Sequence, residues 1–344
     1  MKQFSALILG LLVYATSSAQ TGGQAVFNML DIPVSAHAAG LGGNAMAIPD
    51  GTLELAVYNP SMLNPDHHQS LSLSYVNYYA GVNLGLAAFA FHPDSSKVTY
   101  SAAIQFADYG SFDERDASGT KIGTFSAGDY VLNLGASIPI DTSFTGGINL
   151  KFLYGALAEY SSFGAAIDAG VTYRNSQKKL QASLLLRNLG TSFSTYTDTG
   201  DETWPASLQI GLSKQLQHAP FRFHLVYDHL QKWDLTLPSE TTSLTLDPIT
   251  GEPINNGGFV FGDKFMRHLI LGTELLLGEN FHINLGYNYK RRQELKLSDK
   301  PGTAGFSWGL AFKVKQFYLS YGRSAYHLAG PSNHFTVGTS LRNW

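Results

Sequence analysis

The amino-acid sequence predicts an all-β protein, a transmembrane antiparallel β-barrel of about fourteen strands, from three observations. From Leu71 onward apolar and polar residues alternate with period two, which gives a strand one apolar and one polar face. Charged residues make up 14 %, against roughly 25 % in soluble proteins, yet mean hydropathy is only -0.06. Apart from a tight first hairpin at Tyr79-Ala80, the links between alternating segments are by turns short and long, as expected of a barrel with tight turns at one rim and larger loops at the other. A soluble sandwich has no reason to keep that rhythm.

The chain begins Met1-Lys2-Gln3-Phe4, continues with an apolar run from Ala6 to Tyr14, and reaches Ala15-Thr16-Ser17-Ser18-Ala19-Gln20. This is the charged, apolar and small-residue order of a secretory signal peptide over residues 1–20, cut after Ala19 or Gln20. The apolar run falls short of the roughly 20 residues of a spanning helix, and no later segment is long enough. After export, a membrane could be crossed only as a closed barrel, because lipid leaves backbone groups no other partner.

Residues 21–68 differ in texture. Gly22-Gly23, Gly40-Leu41-Gly42-Gly43 and Pro33, Pro49, Pro60 and Pro65 punctuate them, and Val34 to Ala39 suits a short helix ended by glycines. A compact plug or periplasmic collar is expected here, with the barrel over 69–344.

Each later segment then reads as a half-apolar strand. Tyr130, Leu132, Leu134, Ala136 and Ile138 share a face; so do Ile148, Leu150, Phe152 and Tyr154, then Phe163 to Tyr173 at alternate positions. Leu208 to Leu212, Phe221 to Tyr227, Leu269 to Leu277, Phe281 to Tyr289 and Ala304 to Val314 repeat the pattern. Weaker runs at 70–78, 81–92, 97–107, 179–189 and 316–324 complete it. Longer polar links are expected at 108–128, 156–162, 190–205, 231–266, 291–303 and 325–333, and both termini at the periplasmic rim. Aromatics toward the strand ends, Tyr130, Tyr154, Phe163, Tyr173, Phe221, Tyr227, Phe281 and Tyr289 among them, suit interfacial girdles. The terminal run His334 to Trp344 would be the closing strand, with Phe335, Val337 and Leu341 on one face and Trp344 at the rim. Its neighbours would be the run 316–324 and the first strand near Leu71, which leaves no open edge.

Chemistry-bearing motifs are sparse. The chain has no Cys, which excludes thiolate catalysis, disulfides and Cys lipidation. A net charge of -3 gives no nucleic-acid footprint. His67-His68 has no third ligand at metal spacing, Gly40-Leu41-Gly42-Gly43 sits in no βαβ unit, and no nucleophile elbow occurs. No catalytic, cofactor or metal site is expected. His224, His268 and His334 are expected on polar faces or in loops. Inward positions are mostly Gly, Ser, Ala or Asn with few charges, which leaves room for a plug.

The block Val26-Phe27-Asn28-Met29-Leu30-Asp31-Ile32-Pro33-Val34-Ser35-Ala36-His37-Ala38-Ala39-Gly40-Leu41-Gly42-Gly43-Asn44, followed by Ala56-Val57-Tyr58-Asn59-Pro60-Ser61-Met62-Leu63, resembles the opening of the PorV/PorQ family of Bacteroidetes outer-membrane proteins, closer to PorQ than to PorV. His37 stands where that family has Arg, and Ser61 where it has Ala. The resemblance implies a barrel like the FadL fatty-acid transporters, with an N-terminal plug carrying Asn59 and Pro60. It also implies a role in the type IX secretion system, in the attachment complex with the PorU sortase, PorV and PorZ that joins cargo to lipopolysaccharide. A FadL-like transporter of hydrophobic small molecules is the alternative. The link 231–266 carries Trp233, Leu235, Leu237, Phe259 and Phe261, apolar enough for either a partner-docking loop or a lid over the barrel mouth.

Overall fold

A computed structural model describes residues 27–49, 52–196, 204–236, 257–278, 280–296, 302–327 and 330–343. The expected signal peptide, Leu237 and Trp344 lie outside these residues.

Fourteen antiparallel strands close into one barrel, each hydrogen-bonded to its sequence neighbours and β1 to β14. They are β1 (Ser70–Asn77), β2 (Asn83–Phe91), β3 (Thr99–Arg115), β4 (Lys121–Pro139), β5 (Phe144–Leu157), β6 (Tyr160–Asn175) and β7 (Leu180–Ser194). The second half comprises β8 (Ser207–Gln215), β9 (Phe221–Tyr227), β10 (Leu269–Leu276), β11 (Phe281–Asn288), β12 (Phe306–Val314), β13 (Phe317–His327) and β14 (Gly330–Ser340). Among the described residues four short α-helices accompany them: α1 (Ala36–Gly40), α2 (Leu53–Tyr58), α3 (Gly257–Arg267) and α4 (Tyr289–Leu295).

Burial follows the alternation and turns a soluble protein inside out. Phe144, Ile148, Leu150, Phe152 and Tyr154 on β5 are all exposed, Ile148 to 60 %, while Asn149 and Lys151 between them are buried. The same inversion holds on β14, where Phe335 and Val337 point out and His334 and Thr336 are buried. A continuous apolar exterior is tolerated only against lipid. From Phe144 to Tyr154 the strand rises roughly 25 Å at about 3.3 Å per residue and a tilt near 40°, the height of a membrane band. Tyr130 and Phe163 stand beside Tyr154 in register, and Tyr173 beside Phe144, so aromatics mark both edges.

The closing strand pairs with β13 and β1, for example Phe335 with Tyr321 and Tyr75. It begins at Gly330 and ends at Ser340; Leu341 belongs instead to a 3-10 turn, Leu341–Asn343. The Leu341 amide donates to the Gln69 carbonyl at 2.8 Å, so the start of β1 and the end of β14 share one rim.

At the far rim, several segments read as loops prove to be structured. Residues 108–128 continue β3 and β4 as a hairpin, with a register shift at Asp108/Gly110 and a turn in which the Asp116 carboxylate accepts the Ser118 and Thr120 amides. The link expected at 156–162 is a two-residue turn between β5 and β6, and Tyr289 opens α4 rather than closing a strand. Hydrogen-bonded strands run on after the apolar alternation stops, because leaving lipid changes which side chains suit the outside without changing the backbone's need for partners.

The lumen and its N-terminal segment as candidate functional site

Residues preceding β1 pack against inward-facing side chains from most of the wall. Ser35 starts α1 by accepting the Ala38 amide at 3.2 Å. Past the helix, Gly42 and Gly43 take positive φ, 90° and 101°, a conformation that favours glycine. Here backbone meets backbone. A Cβ on Gly286 would stand 2.1 Å from the Gly42 nitrogen, and one on Gly40 3.1 Å from Gly309 Cα. Ser307 completes the contact, donating to Gly40 O at 3.0 Å and accepting from the Gly42 amide at 2.9 Å. The Ala36 amide donates to Thr336 Oγ1 at 3.1 Å.

His37 enters a buried ionic cluster. Its Nε2 lies 2.7 Å from Glu274 Oε1, and the other carboxylate oxygen meets His224 Nε2 at 2.6 Å and Arg222 Nη1 at 3.1 Å. The Tyr318 hydroxyl lies 3.0 Å from His37 Nδ1. Glu274 is fully buried, and a buried carboxylate is tenable only with partners of this kind. Two strands supply the wall's share, β9 and β10, and α1 supplies the third side.

A second contact uses shape. Asn59 is held by its amide to Met46 O at 2.7 Å, while its Oδ1 accepts from the Ser61 amide at 3.2 Å and the Ser61 hydroxyl at 2.7 Å. Ser61 Oγ and Thr172 Oγ1 are also 2.7 Å apart. This Asn59-Pro60-Ser61 turn fits against two wall glycines: a Cβ on Gly147 would stand 2.3 Å from the Pro60 carbonyl carbon, and one on Gly170 2.6 Å from Asn59 Oδ1.

Between these contacts lies a third cluster. Lys151 Nζ stands 2.7 Å from Asp168 Oδ2 and donates to Asn188 Oδ1 at 2.7 Å. Arg187 stacks its guanidinium 3.9 Å over the Tyr58 ring and donates to Leu30 O. The lumen is therefore more charged than the sequence suggests. Its charges stand singly on β5, β6, β7, β9 and β10, and only the fold brings Lys151, Asp168, Arg187, Arg222 and Glu274 to their partners.

Outside the wall behind the Asn59-Pro60-Ser61 turn, Ala136, Ile138, Ile148, Ala169, Val171 and Leu184 line an apolar groove of about 580 Å³ that Gly147 and Gly170 also reach. Small side chains at Ala136, Gly146 and Ala169 create it among larger neighbours.

Of the other anticipated residues, Trp233 is half-exposed and Leu235 buried. Phe259 lies on α3, where its backbone alone is described, and Phe261 is 64 % exposed. The expected docking residues thus divide between a surface and an interior.

In fold, the chain is similar to a delta-S2 mutant of the TodX monoaromatic hydrocarbon channel, with a TM-score of 0.50 and 13 % identity over 90 % of this chain and 97 % of that one. Likeness also extends to the Pseudomonas putida toluene transporter TodX, at TM-score 0.48, 12 % identity and coverage of 88 % and 96 %. A Pseudomonas aeruginosa FadL homologue follows at TM-score 0.45, 10 % identity and coverage of 89 % and 98 %. No family model matches the chain, and no curated protein does. At such identity the first comparison speaks for fold alone, and with the closed barrel it defines the class: a fourteen-stranded antiparallel β-barrel with an apolar exterior, similar in fold to the TodX channel.

Proposed function

We propose that the protein carries small hydrophobic molecules across the outer membrane, with residues 27–69 acting as a plug. One observation carries this reading: at Gly147 and Gly170 a single layer of backbone separates the apolar groove on the lipid side from the Asn59-Pro60-Ser61 turn in the lumen. A hydrophobic solute needs an apolar resting place and a thin wall, and the two coincide here beside the segment read as a plug. The activities named for the TodX structures fit that chemistry. Uptake of toluene and of a fluorescent fatty acid, compared between cells with and without the protein, tests it; uptake at the same rate in both overturns it.

A second reading, the attachment complex of the type IX secretion system, draws on the PorV/PorQ-like residues 26–63. Those residues include His37 and Asn59-Pro60-Ser61, which make the contacts with the wall. A deletion strain that still displays lipopolysaccharide-linked cargo eliminates this role. One that loses its cargo while hydrophobic uptake is unchanged favours it over transport.

A further inference from the structure

The structure assigns α3 and the strap at 228–236 to the membrane surface: we infer that Phe261, Phe265, Trp233 and Leu230 enter the polar–apolar boundary of the lipid leaflet at the far rim. The reason is the way α3 is turned. On a soluble surface, a helix points its charges outward and its apolar stripe at the core. In α3 the arrangement is reversed. Asp263 and Arg267, one turn apart, pair at 2.7 Å with side chains only 16 % and 6 % exposed, and the Tyr289 hydroxyl of α4 donates to Asp263 at 2.9 Å. The helix's ion pair therefore faces the protein. Phe261 and Phe265, also one turn apart, are 64 % and 40 % exposed. A helix so oriented suits an apolar exterior.

Continuity with the lipid-facing wall identifies that exterior as lipid. Phe221, Phe223 and Leu225 form the exposed face of β9, and Tyr227 ends it. The Phe265 ring packs on Tyr227 at 5.7 Å between centroids, and His268 stacks on Tyr227 at 4.7 Å. Trp233 follows 5.9 Å from His268, and Phe261 5.1 Å from Trp233. The aromatic series thus begins on the membrane band at Tyr227, is joined there directly by Phe265, and continues past the buried His268 ring to Trp233 and Phe261. Beside it, Lys264 pairs with Asp234 at 2.7 Å, both partly exposed, placing polar groups where a headgroup layer would lie. Aromatic residues with a polar margin are what interfacial anchors present.

The absence of Cys from the chain permits a direct test on the whole protein. Single cysteines at Phe261→Cys and Phe265→Cys, nitroxide-labelled and reconstituted in phosphatidylcholine nanodiscs, are compared for collision with oxygen and with a water-soluble nickel chelate. Ile148→Cys on the lipid face and Ser118→Cys at the hairpin tip provide the limits, and heat-modifiable gel mobility verifies folding of each variant. A severalfold higher oxygen-to-nickel ratio at 261 and 265 than at 118 is expected. Ratios at 261 and 265 equal to that at 118 overturn the assignment and return this surface to a water-borne partner. Should Phe265→Cys fail to fold, the highly exposed position 261 decides alone.

Discussion

The N-terminal segment is fastened at two places by different physics. Near β9 and β10, His37 completes a charge cluster that tolerates no missing member, whereas near β5 and β6 the Asn59-Pro60-Ser61 turn occupies space that two glycines leave empty. The first contact depends on buried charge and the second on volume. A charge cluster fails abruptly when one partner is lost, since the remainder are left buried without compensation. A packed contact fails in proportion to the atoms added or removed. The segment is thus held by charge at one place and by shape at the other, and the shape contact lies against the thin wall.

The largest effect is expected from Glu274→Ala, which leaves Arg222 facing two imidazoles and should cost about 3 to 5 kcal/mol. Thermal unfolding in detergent reports it, together with higher conductance in planar bilayers. Adding His37→Ala to that variant should then cost only the remaining Tyr318 contact, because the pair with Glu274 is already broken; fully additive losses would mean that His37 and Glu274 act independently. Gly147→Val should cost about 1 to 3 kcal/mol by overpacking against Pro60 and expose residues near 60 to protease. Unchanged protection there would show that the turn can shift at no cost. Smaller still, Ser61→Ala removes hydroxyl bonds to Asn59 and Thr172 for about 1 kcal/mol, read as a shift in the same transition.

The mildest effect concerns pH at the far rim. Burial alone raises the Asp234 carboxyl, but bonds from Lys264 and Thr236 outweigh it and hold the pKa down to about 2. A carboxyl so depressed contributes stability that is complete above its ordinary value near 4 and disappears as pH falls toward 2. Pepsin cleavage of the strap at 228–236 should therefore accelerate between about pH 4 and 2, and Asp234→Asn should abolish the pH dependence. Equal acceleration in that variant would assign the effect elsewhere.

The strands were legible because lipid imposes period two on every one of them, and Phe335 and Val337 declare their face without knowledge of any neighbour. What the membrane does not touch was harder to read. Residues 108–128 carry Asp113, Glu114 and Arg115, whose polarity suggests a loop although the ladder continues through them. Arg291-Arg292-Gln293-Glu294 resembles a solvated link, yet Asn288 caps a helix there by accepting the Arg291 amide at 3.0 Å. In the lumen the decisive pairs are remote in sequence. His37 and Glu274 carry no local sign of each other, and Gly147 and Gly170 look like ordinary small inward residues until Pro60 and Asn59 arrive beside them. Asn59-Pro60 itself was visible, as a motif whose partner was not.

The shared rim of β1 and β14 also orders events in time. Residues 27–69 emerge before any strand, but the cavity that receives them is complete only when Ser70 meets Ser340, the pairing with the longest sequence separation and hence the greatest loop-closure cost. The segment must already be inside when the seam zips shut, or be threaded past a finished wall. The glycine-to-glycine approaches at Gly42 and Gly286 favour the first route, because such close backbone contacts leave little room for late insertion. On that route assembly ends with β1 meeting β14 around the segment that precedes them.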